Sequence, residues 1–524
     1  MFFFVLGVLV SVLIYYKLIR PCSYWKDRGV KHARSWPLVG SMGAVVLKRR
    51  PFATVSLDLY NKYPEERYVG YMQFTQNFLL IRDLDLIKKI TTQDFNHFQS
   101  HVRFGQSDSD PLLSKNLLFM SGEEWKSLRS SLSPAFTSSK MRNMYLMVEE
   151  CAENFVNHYQ ADVEVEMRDV FSRFTTDVIA STAFGITVDS FKEPNNEFFA
   201  MGVILTKLTA WQTVKIIMTQ MSKSVGNLFG IQVFPKRATE FFRRIVKDNI
   251  EKREAEGIVR PDLIHLLMEA RKGKLKPESG GDNREGFAAV EESQIEPSRK
   301  EVELSDEHIL AQAMLFFFAA FDTVSTAASF MAYELALNPD IQKKLQEEID
   351  SVKSKHDGTI PYDALLSMKY LDQVVSETLR KWPPNFETDR LCVKDYLIPS
   401  TNPDEKGFLV KKGIVALVPM MALQRDPQYY PEPDRFDPER FNDENKSKVV
   451  PGTYLPFGMG PRNCIGSRFA LLEIKSVFCH LLGKFDITPY DKTEIPMKLS
   501  SKHFNMQPEK GFWLRLNLRK EGSS

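Results

Sequence analysis

The longest run of apolar positions lies in the second half of the chain, between Ser305 and Pro339. Apolar residues occur on almost every side of a helical repeat there, so the run predicts a buried helix over 306–337, about 48 Å long. Ser305 is a suitable N-cap residue, and Pro339 ends the pattern. A membrane-spanning helix is the alternative, but Asp322 and Thr323 in the middle of the run argue against it.

Helical periodicity also extends from about 120 to 270, with a break at 226–235, and returns in the segment that ends at Pro383. Residues from about 65 to 90 are rich in β-branched and aromatic types and predict strands, as does the later stretch GFLVKKGIVALVPM. The expected fold class is therefore mainly α with a smaller β-rich part.

A charged segment at 272–303 contains few apolar residues and predicts a solvated surface loop. Long surface insertions cost little free energy, so this loop need not be a domain boundary. We therefore place it inside a single domain at 41–524.

The amino-terminal stretch MFFFVLGVLVSVLIYY carries no charge, and Lys17 and Arg20 follow it. Residues 1–19 would reach ~28 Å as a helix, which is about one hydrocarbon thickness. A cleaved signal peptide is the alternative, but it usually has basic residues before the apolar run. We expect a membrane anchor at 1–20, a hinge at 21–40, and the large domain on the cytosolic side.

The composition excludes several classes of protein. The net charge is +2, and no basic stripe with interleaved aromatic residues indicates nucleic-acid binding. The cysteines are Cys22, Cys151, Cys392, Cys464 and Cys479, and no two have the CxxC spacing. This spacing argues against a zinc cluster, a disulfide framework and covalent haem attachment, and the scarcity of cysteine fits a reducing compartment.

Cys464 lies in a glycine-rich loop, PFGMGPRNCIG, directly before a predicted helix. A helix amino terminus offers positive potential and unpaired N–H groups, which lower the pKa of a thiol. Gly458 and Gly466 would allow backbone to approach a flat ligand, and Arg462 adds a cation. A buried structural cysteine is the alternative. The pattern F-x-x-G-x-R-x-C-x-G, which starts at Phe457, favours a binding loop.

This loop resembles the haem-binding loop of the cytochrome P450 superfamily of haem-thiolate monooxygenases. The resemblance implies a cytochrome P450 fold for 41–524, with haem b held without covalent attachment and Cys464 as the iron ligand. Phe457, Gly458 and Gly466 would then contact the cofactor. Similarity to the family's E-x-x-R and P-E-R-F segments implies a structural triad of Glu377, Arg380 and Arg440 behind the haem.

The resemblance also implies residues that hold the two haem propionates. The family's W-x-x-x-R pattern matches at Trp125 and Arg129, which lie on one helix face. Arg462 of the cysteine loop and Arg390 match further arginines of this kind, and His101 is another candidate. Together these groups would offset the desolvation cost of two buried carboxylates.

The predicted central helix resembles the family's distal helix through the sequence Ala319-Ala320-Phe321-Asp322-Thr323. Ala320 departs from the family, which usually has glycine there, so the local opening of the helix is in doubt. We expect Thr323 and Asp322 to be catalytic, with Ala319 and Ala320 leaving space over the cofactor. The candidate substrate-pocket residues on this helix are Leu315, Phe316, Phe318, Ala319 and Thr323. Segments 103–118, 201–234 and 503–506 are further pocket candidates.

The resemblance implies a monooxygenase that takes O2 and electrons from NADPH through a reductase, with possible help from cytochrome b5. The motif neighbourhood is similar to insect microsomal members that clear xenobiotics, which implies lipophilic substrates and the endoplasmic reticulum membrane. Three alternatives stay open: a reductase-independent isomerase or dehydratase of peroxides, an endogenous lipid or hormone hydroxylase, and a ligand carrier or sensor without catalysis.

Overall fold

A computed structural model describes residues 1–102, 111–206, 211–212, 215, 218–219, 223–228, 230–273, 286–290, 304–401 and 407–520. The described chain is mainly helical with a smaller strand part, as predicted. Its α-helices are α1 (Phe2–Ile14), α2 (Gly43–Val46), α3 (Val55–Lys62), α4 (Leu84–Lys88), α5 (Pro111–Ser114), α6 (Gly122–Leu132), α7 (Ser138–His158), α8 (Met167–Thr182), α9 (Glu197–Thr206), α10 (Lys223–Leu228), α11 (Lys236–Glu256), α12 (Leu263–Arg271), α13 (Asp306–Leu337), α14 (Pro339–Lys355), α15 (Tyr362–Ser367), α16 (Lys369–Lys381), α17 (Met420–Leu423) and α18 (Ser467–Lys484).

The strands form three small sheets. They are β1 (Tyr68–Gln73), β2 (Gln76–Ile81), β3 (Val163–Glu166), β4 (Thr388–Leu391), β5 (Tyr396–Ile398), β6 (Phe408–Val410), β7 (Val415–Val418), β8 (Phe485–Thr488) and β9 (Trp513–Leu518). One sheet has the order β1-β2-β7-β4, in which β2 and β7 are parallel and the other pairs antiparallel. The other sheets have the orders β3-β9-β8 and β5-β6. The strands predicted in GFLVKKGIVALVPM are present, and those predicted near 65–90 extend only to Ile81, because Leu84–Lys88 forms helix α4.

Helix α13 has the predicted bounds and forms the centre of the larger hydrophobic core. The Ser305 hydroxyl accepts a hydrogen bond from the His308 N–H at 3.4 Å, which caps its first turn. The helix is long and apolar enough to cross a bilayer, but most of its apolar stretch is buried inside the protein. It packs on α8, α11, α16 and α18, so it is a core helix.

The amino-terminal segment begins with α1, which continues as a π-helical turn at Tyr15–Ile19. Phe2, Phe3 and Phe4 are exposed. Residues 21–40, the predicted hinge, lie against the four-stranded sheet: Trp25 is buried and donates from Nε1 to the Tyr71 carbonyl oxygen at 3.0 Å. The anchor at 1–20 and the limits of the large domain stay predictions.

The charged loop predicted at 272–303 is described only at 272–273 and 286–290. The latter piece packs on the domain. Ala288 is buried, the Phe287 ring lies 5.0 Å from that of Phe441, and the Phe287 N–H donates to Asp372 at 2.8 Å. These are among the few apolar residues of the loop, so burying them against the core is favourable.

Candidate functional site

The Cys464 loop folds tightly in front of α18. The Cys464 N–H donates to the Phe457 carbonyl oxygen at 2.9 Å, and both Gly458 and Gly460 have positive φ angles, +77° and +75°. A Cβ atom at Gly460 would lie 2.0 Å from the Thr91 carbonyl oxygen, so only glycine fits there. The loop holds the Cys464 side chain open toward an internal cavity rather than against the core.

This cavity has a volume of about 390 Å³ and lies between the Cys464 loop and α13. Its size is within the usual range for small-molecule sites. Most of the residues predicted for the site line it: His101, Trp125, Arg129, Leu315, Phe316, Phe318, Ala319, Ala320, Thr323, Phe457, Gly458, Arg462, Cys464 and Gly466. Asp322 and Arg390 do not. Of the pocket segments, Leu117 and Leu118 line the cavity, while parts of 103–118 and 201–234 lie outside the described residues.

The pKa of the Cys464 thiol departs from the sequence-based expectation. Burial of its surroundings raises this pKa, and the opposing effects of the Gly466 N–H and the Arg129 charge are smaller. The expectation of a lowered pKa was therefore wrong for the protein alone, because desolvation of a thiolate outweighs the helix terminus. Coordination to a metal ion would itself remove the thiol proton.

A cluster of buried cations lies at one end of the cavity. Arg129 donates from Nη1 to the Asn463 carbonyl oxygen at 2.9 Å and from Nη2 to its side-chain oxygen at 2.8 Å. Arg462 donates to the Gln99 and Met120 carbonyl oxygens at 2.8 and 2.6 Å, and its guanidinium lies 3.9 Å from the ring centre of Trp125. Helix α6 therefore brings Trp125 and Arg129 to the cysteine loop, although the two segments are far apart in sequence.

Strand β4 carries the next pair of charges. Asp389 contacts the His101 ring at 3.1 Å, and Arg390 donates to the Met459 carbonyl oxygen at 3.0 Å. Burial lowers the pKa of His101 and lowers that of Arg390 to about 10. The buried Nε of Arg390 has no hydrogen-bond partner among the described residues. It is a free buried donor next to the loop that carries Cys464.

On the α13 wall, Thr323 lines the cavity and Asp322 does not. The Thr323 hydroxyl donates to the Ala319 carbonyl oxygen at 2.8 Å, within its own helix. Asp322 contacts Arg168 of α8 at 2.5 Å and accepts from the Asn505 side chain at 2.6 Å. Asp322 therefore lies outside the cavity lining, because the ion pair holds the carboxylate on another face of the helix, and its catalytic role stays a prediction.

Comparisons with known proteins identify the family. The family model described as Cytochrome P450 matches residues 31–515. The chain belongs to the cytochrome P450 family. It is 42% identical over 515 residues to Cytochrome P450 9e2 of Blattella germanica, covering 95% of this chain and 94% of that protein. It is 40% identical over 528 residues to Probable cytochrome P450 9f2 of Drosophila melanogaster, covering 98% of each, and 36% identical over 501 residues to Cytochrome P450 6k1 of Blattella germanica, covering 95% and 93%.

The family implies haem with a cysteine thiolate, and this cytochrome P450 has a site that fits such a group. The Cys464 sulfur opens into a cavity of adequate size, and the small residues Ala319 and Ala320 lie on its α13 wall. At the polar end, Arg129 and Arg462 supply positive charge. Arg390 does not line the cavity, but its buried Nε has no hydrogen-bond partner among the described residues. Anionic propionate groups would suit this set of donors.

The predicted structural triad lies outside the cavity of this cytochrome P450. Glu377 and Arg380 are fully buried on α16 and joined by two contacts of 2.6 and 2.8 Å. Glu377 also accepts from the Asp437 N–H at 2.9 Å. The third member, Arg440, is less close: its Nε lies 3.6 Å from a carboxylate oxygen of Glu377. Burial raises the pKa of Glu377, and Arg380 and the Asp437 N–H oppose this. These contacts join α16 to the loop that precedes Cys464.

Sequence reasoning missed a polar patch on the cavity wall. The segment after α16 contributes Asn385, Glu387 and Thr388 to the lining. Glu387 is the single acidic side chain among the described lining residues. The only signal in the sequence is a charged residue three positions before Arg390, which does not indicate the direction of its side chain.

Proposed function

We propose that this cytochrome P450 oxidises lipophilic small molecules, including xenobiotics, with O2 and with electrons that a reductase transfers from NADPH. The observation that carries this proposal is the mostly apolar cavity that has Cys464 on one side and Thr323 on the other. The xenobiotic class is proposed from the resemblance of the motifs to insect microsomal members, and the relatives from two insects support the family. When bound, haem supplies the oxygen-activating redox chemistry, and the chain supplies the ligand, orientation and proton supply.

The proposed roles of the residues follow from their positions. Cys464 would be the iron ligand, and the propionate end would be held by Arg129, Arg390, Arg462, Trp125 and His101. Leu315, Phe316 and Phe318 orient an apolar substrate by burying its surface and excluding water. Phe457, Gly458, Gly466, Ala319 and Ala320, which line the cavity, would contact the cofactor.

Thr323 is the proposed proton donor inside the cavity, since it lines the wall. To donate to a bound group, its hydroxyl would give up only the hydrogen bond to the Ala319 carbonyl oxygen. Asp322 then acts as a proton source only when its ion pair with Arg168 opens. Arg168 also donates to Thr326, one turn further along α13. Arg168→Gln should therefore change the solvent isotope effect on product formation, whereas a purely structural ion pair would leave that effect unchanged.

The ferrous protein with carbon monoxide tests the ligand assignment. We expect the thiolate-type Soret band of the family, and Cys464→Ser should abolish it. Retention of the band in this variant would refute Cys464 as the ligand. Cys151→Ser is a matched control, because Cys151 lies on α7 and does not line the cavity.

Reconstituted turnover tests the reaction class. Product formation from a panel of lipophilic compounds should require both NADPH and reductase, with mass spectrometry showing one added oxygen atom. Turnover of a peroxide without NADPH would instead favour the isomerase or dehydratase, and ligand binding without product would favour a carrier. Selective turnover of endogenous lipids or hormones would favour an endogenous lipid or hormone hydroxylase over an enzyme that acts on xenobiotics. Adding cytochrome b5 shows whether it raises the rate.

We also propose that 1–20 anchors the enzyme in the endoplasmic reticulum membrane. The exposed rings of Phe2, Phe3 and Phe4 support this, because such a run is costly to leave in water. A chain without residues 1–20 should remain in the supernatant after cell fractionation, while the full chain sediments with microsomes. Equal sedimentation of both chains would refute the anchor.

A further inference from the structure

The polar patch on the cavity wall points to a feature of substrate choice. Pro384, Asn385, Glu387 and Thr388 belong to the segment between α16 and β4, and all four line the cavity. The α13 wall is mainly apolar, and the cationic lining residues lie at the end near Cys464. The patch therefore adds one acidic residue to the lining of a mainly apolar cavity.

The carboxyl group of Glu387 has no cationic partner among the described residues. Only polar or acidic groups influence it: the Ser56 hydroxyl and the Gln73 amide stabilise its charge, and Asp389 opposes it. The Ser56 hydroxyl is close enough to act on Glu387 but forms no hydrogen bond of ordinary geometry. The nearby arginine, Arg390, directs its guanidinium to the Thr388 hydroxyl and the Asp389 and Met459 carbonyl oxygens instead.

This environment brings the ionisation of the Glu387 carboxyl group close to neutral pH. Burial raises its pKa to about 7, since a carboxylate loses hydration at an apolar wall. A ligand cation placed beside it would restore the lost stabilisation and would favour the ionised carboxylate. An anionic ligand would be repelled, and a hydrocarbon would leave the carboxyl group uncompensated.

We propose that Glu387 is a specificity-determining residue that binds the protonated nitrogen of lipophilic amine substrates. This inference rests on the proposed function, because it assumes that the cavity takes the substrate. The expected ligand is a compound with an apolar body and one aliphatic ammonium group. Asn385 and Thr388 add hydrogen-bonding capacity beside the carboxylate.

The test compares two ligands of the same shape on the full haem-loaded enzyme. Dimethyl(phenylbutyl)amine is protonated at neutral pH, and its partner is the hydrocarbon in which C–H replaces N–H. Equilibrium dialysis gives both affinities without reliance on turnover. In Glu387→Gln, the ratio of amine affinity to hydrocarbon affinity should fall by roughly ten- to hundredfold, the usual value of a charged hydrogen bond. An unchanged ratio would overturn the proposal.

Glu65→Gln is the matched control, because it removes the same charge from an exposed position. Its affinity ratio should equal that of the wild type. The carbon monoxide spectrum of each variant shows whether it has folded and bound haem. If wild type lacks the thiolate band or oxidises neither ligand, the proposed function fails. If it oxidises the hydrocarbon but Glu387→Gln keeps the amine preference, only the role of Glu387 fails.

A second measurement needs no variant. The affinity of wild type for trimethyl(phenylbutyl)ammonium, whose charge is fixed, should rise as the pH increases through about 7. Four titratable groups of the described residues lie near Glu387, and none of their pKa values is shifted toward 7. Burial lowers the pKa of His101, and burial raises that of Tyr71 well above 10.0. His101 and the Val102 N–H lower the pKa of Asp389 against its own burial, and burial lowers that of Arg390 to about 10. A flat profile from below to above this pH would overturn the proposal.

Discussion

The buried Glu377–Arg380 pair allows a quantitative test of what stabilises the structure behind Cys464. Glu377→Gln keeps the shape of the side chain but removes its charge. Arg380 would then lie fully buried without a counter-ion, although its bonds to the Gln424 and Pro433 carbonyl oxygens, 2.9 and 2.8 Å long, would remain. The variant should therefore fold but lose stability.

The two contacts between the side chains determine the expected loss. Each hydrogen bond to a charged group contributes about 1.5–3 kcal/mol, so two give roughly 3–6 kcal/mol. Breaking a buried ion pair typically costs about 3–5 kcal/mol, which agrees. We expect the free energy of unfolding to fall by about 4 kcal/mol.

Glu432 and Arg435 offer a matched control with the same i,i+3 spacing. Their side chains are 75% and 65% exposed and lie 3.6 Å apart. Exposed pairs contribute at most about 1 kcal/mol, so Glu432→Gln should have little effect.

The assay is urea unfolding of the haem-loaded variants, followed by tryptophan fluorescence and by the Soret band. The Glu377→Gln midpoint should move to lower urea with both probes, and haem should be released earlier. Equal midpoints for Glu377→Gln and Glu432→Gln would refute the reasoning, because they would show that burial adds nothing to the value of this ion pair.

Three further predictions concern the α13 wall and the core. Thr323→Val should lower the fraction of NADPH used for product, measured as product per NADPH, whereas Thr326→Val should lower it less. Ala320→Gly should change the same ratio or the site of oxidation; identical values would remove Ala320 from the mechanism. Burial raises the pKa of Asp177 to about 7, so the free energy of unfolding should fall as the pH rises from about 4 to about 7. The urea midpoint measured against pH reports this fall, and Asp177→Asn should flatten the profile. An unaltered slope in the variant would contradict the assignment.

Local patterns predicted much of the architecture. The bounds of α13 followed from a capping serine, a proline and an apolar run, all of which act within a few residues. The glycine-rich loop at Cys464 was also recognisable from the sequence, and the structure shows positive φ at Gly458 and Gly460. Such features depend on short-range sterics and hydrogen bonds, so a single sequence carries them.

The direction of side chains at the site was less predictable. Asp322 pairs with Arg168, 154 residues earlier, and with Asn505, 183 residues later. Neither partner belongs to a recognisable motif, so the position of Asp322 outside the cavity had no signal in the sequence. The polar patch at Glu387 also had no signal in the sequence, because strand direction and packing decide which residues line the cavity.

By itself, the sequence determined the family motif around Cys464, the central helix and the apolar character of the pocket. Only the tertiary structure decided that burial outweighs the helix terminus at the Cys464 thiol, that Arg168 holds Asp322 away from the cavity, and that Glu387 belongs to the cavity lining with no cation among the described groups that act on it. The physical reason is that desolvation and ion pairing depend on every group within a few ångströms, and those groups come from segments that only folding brings together.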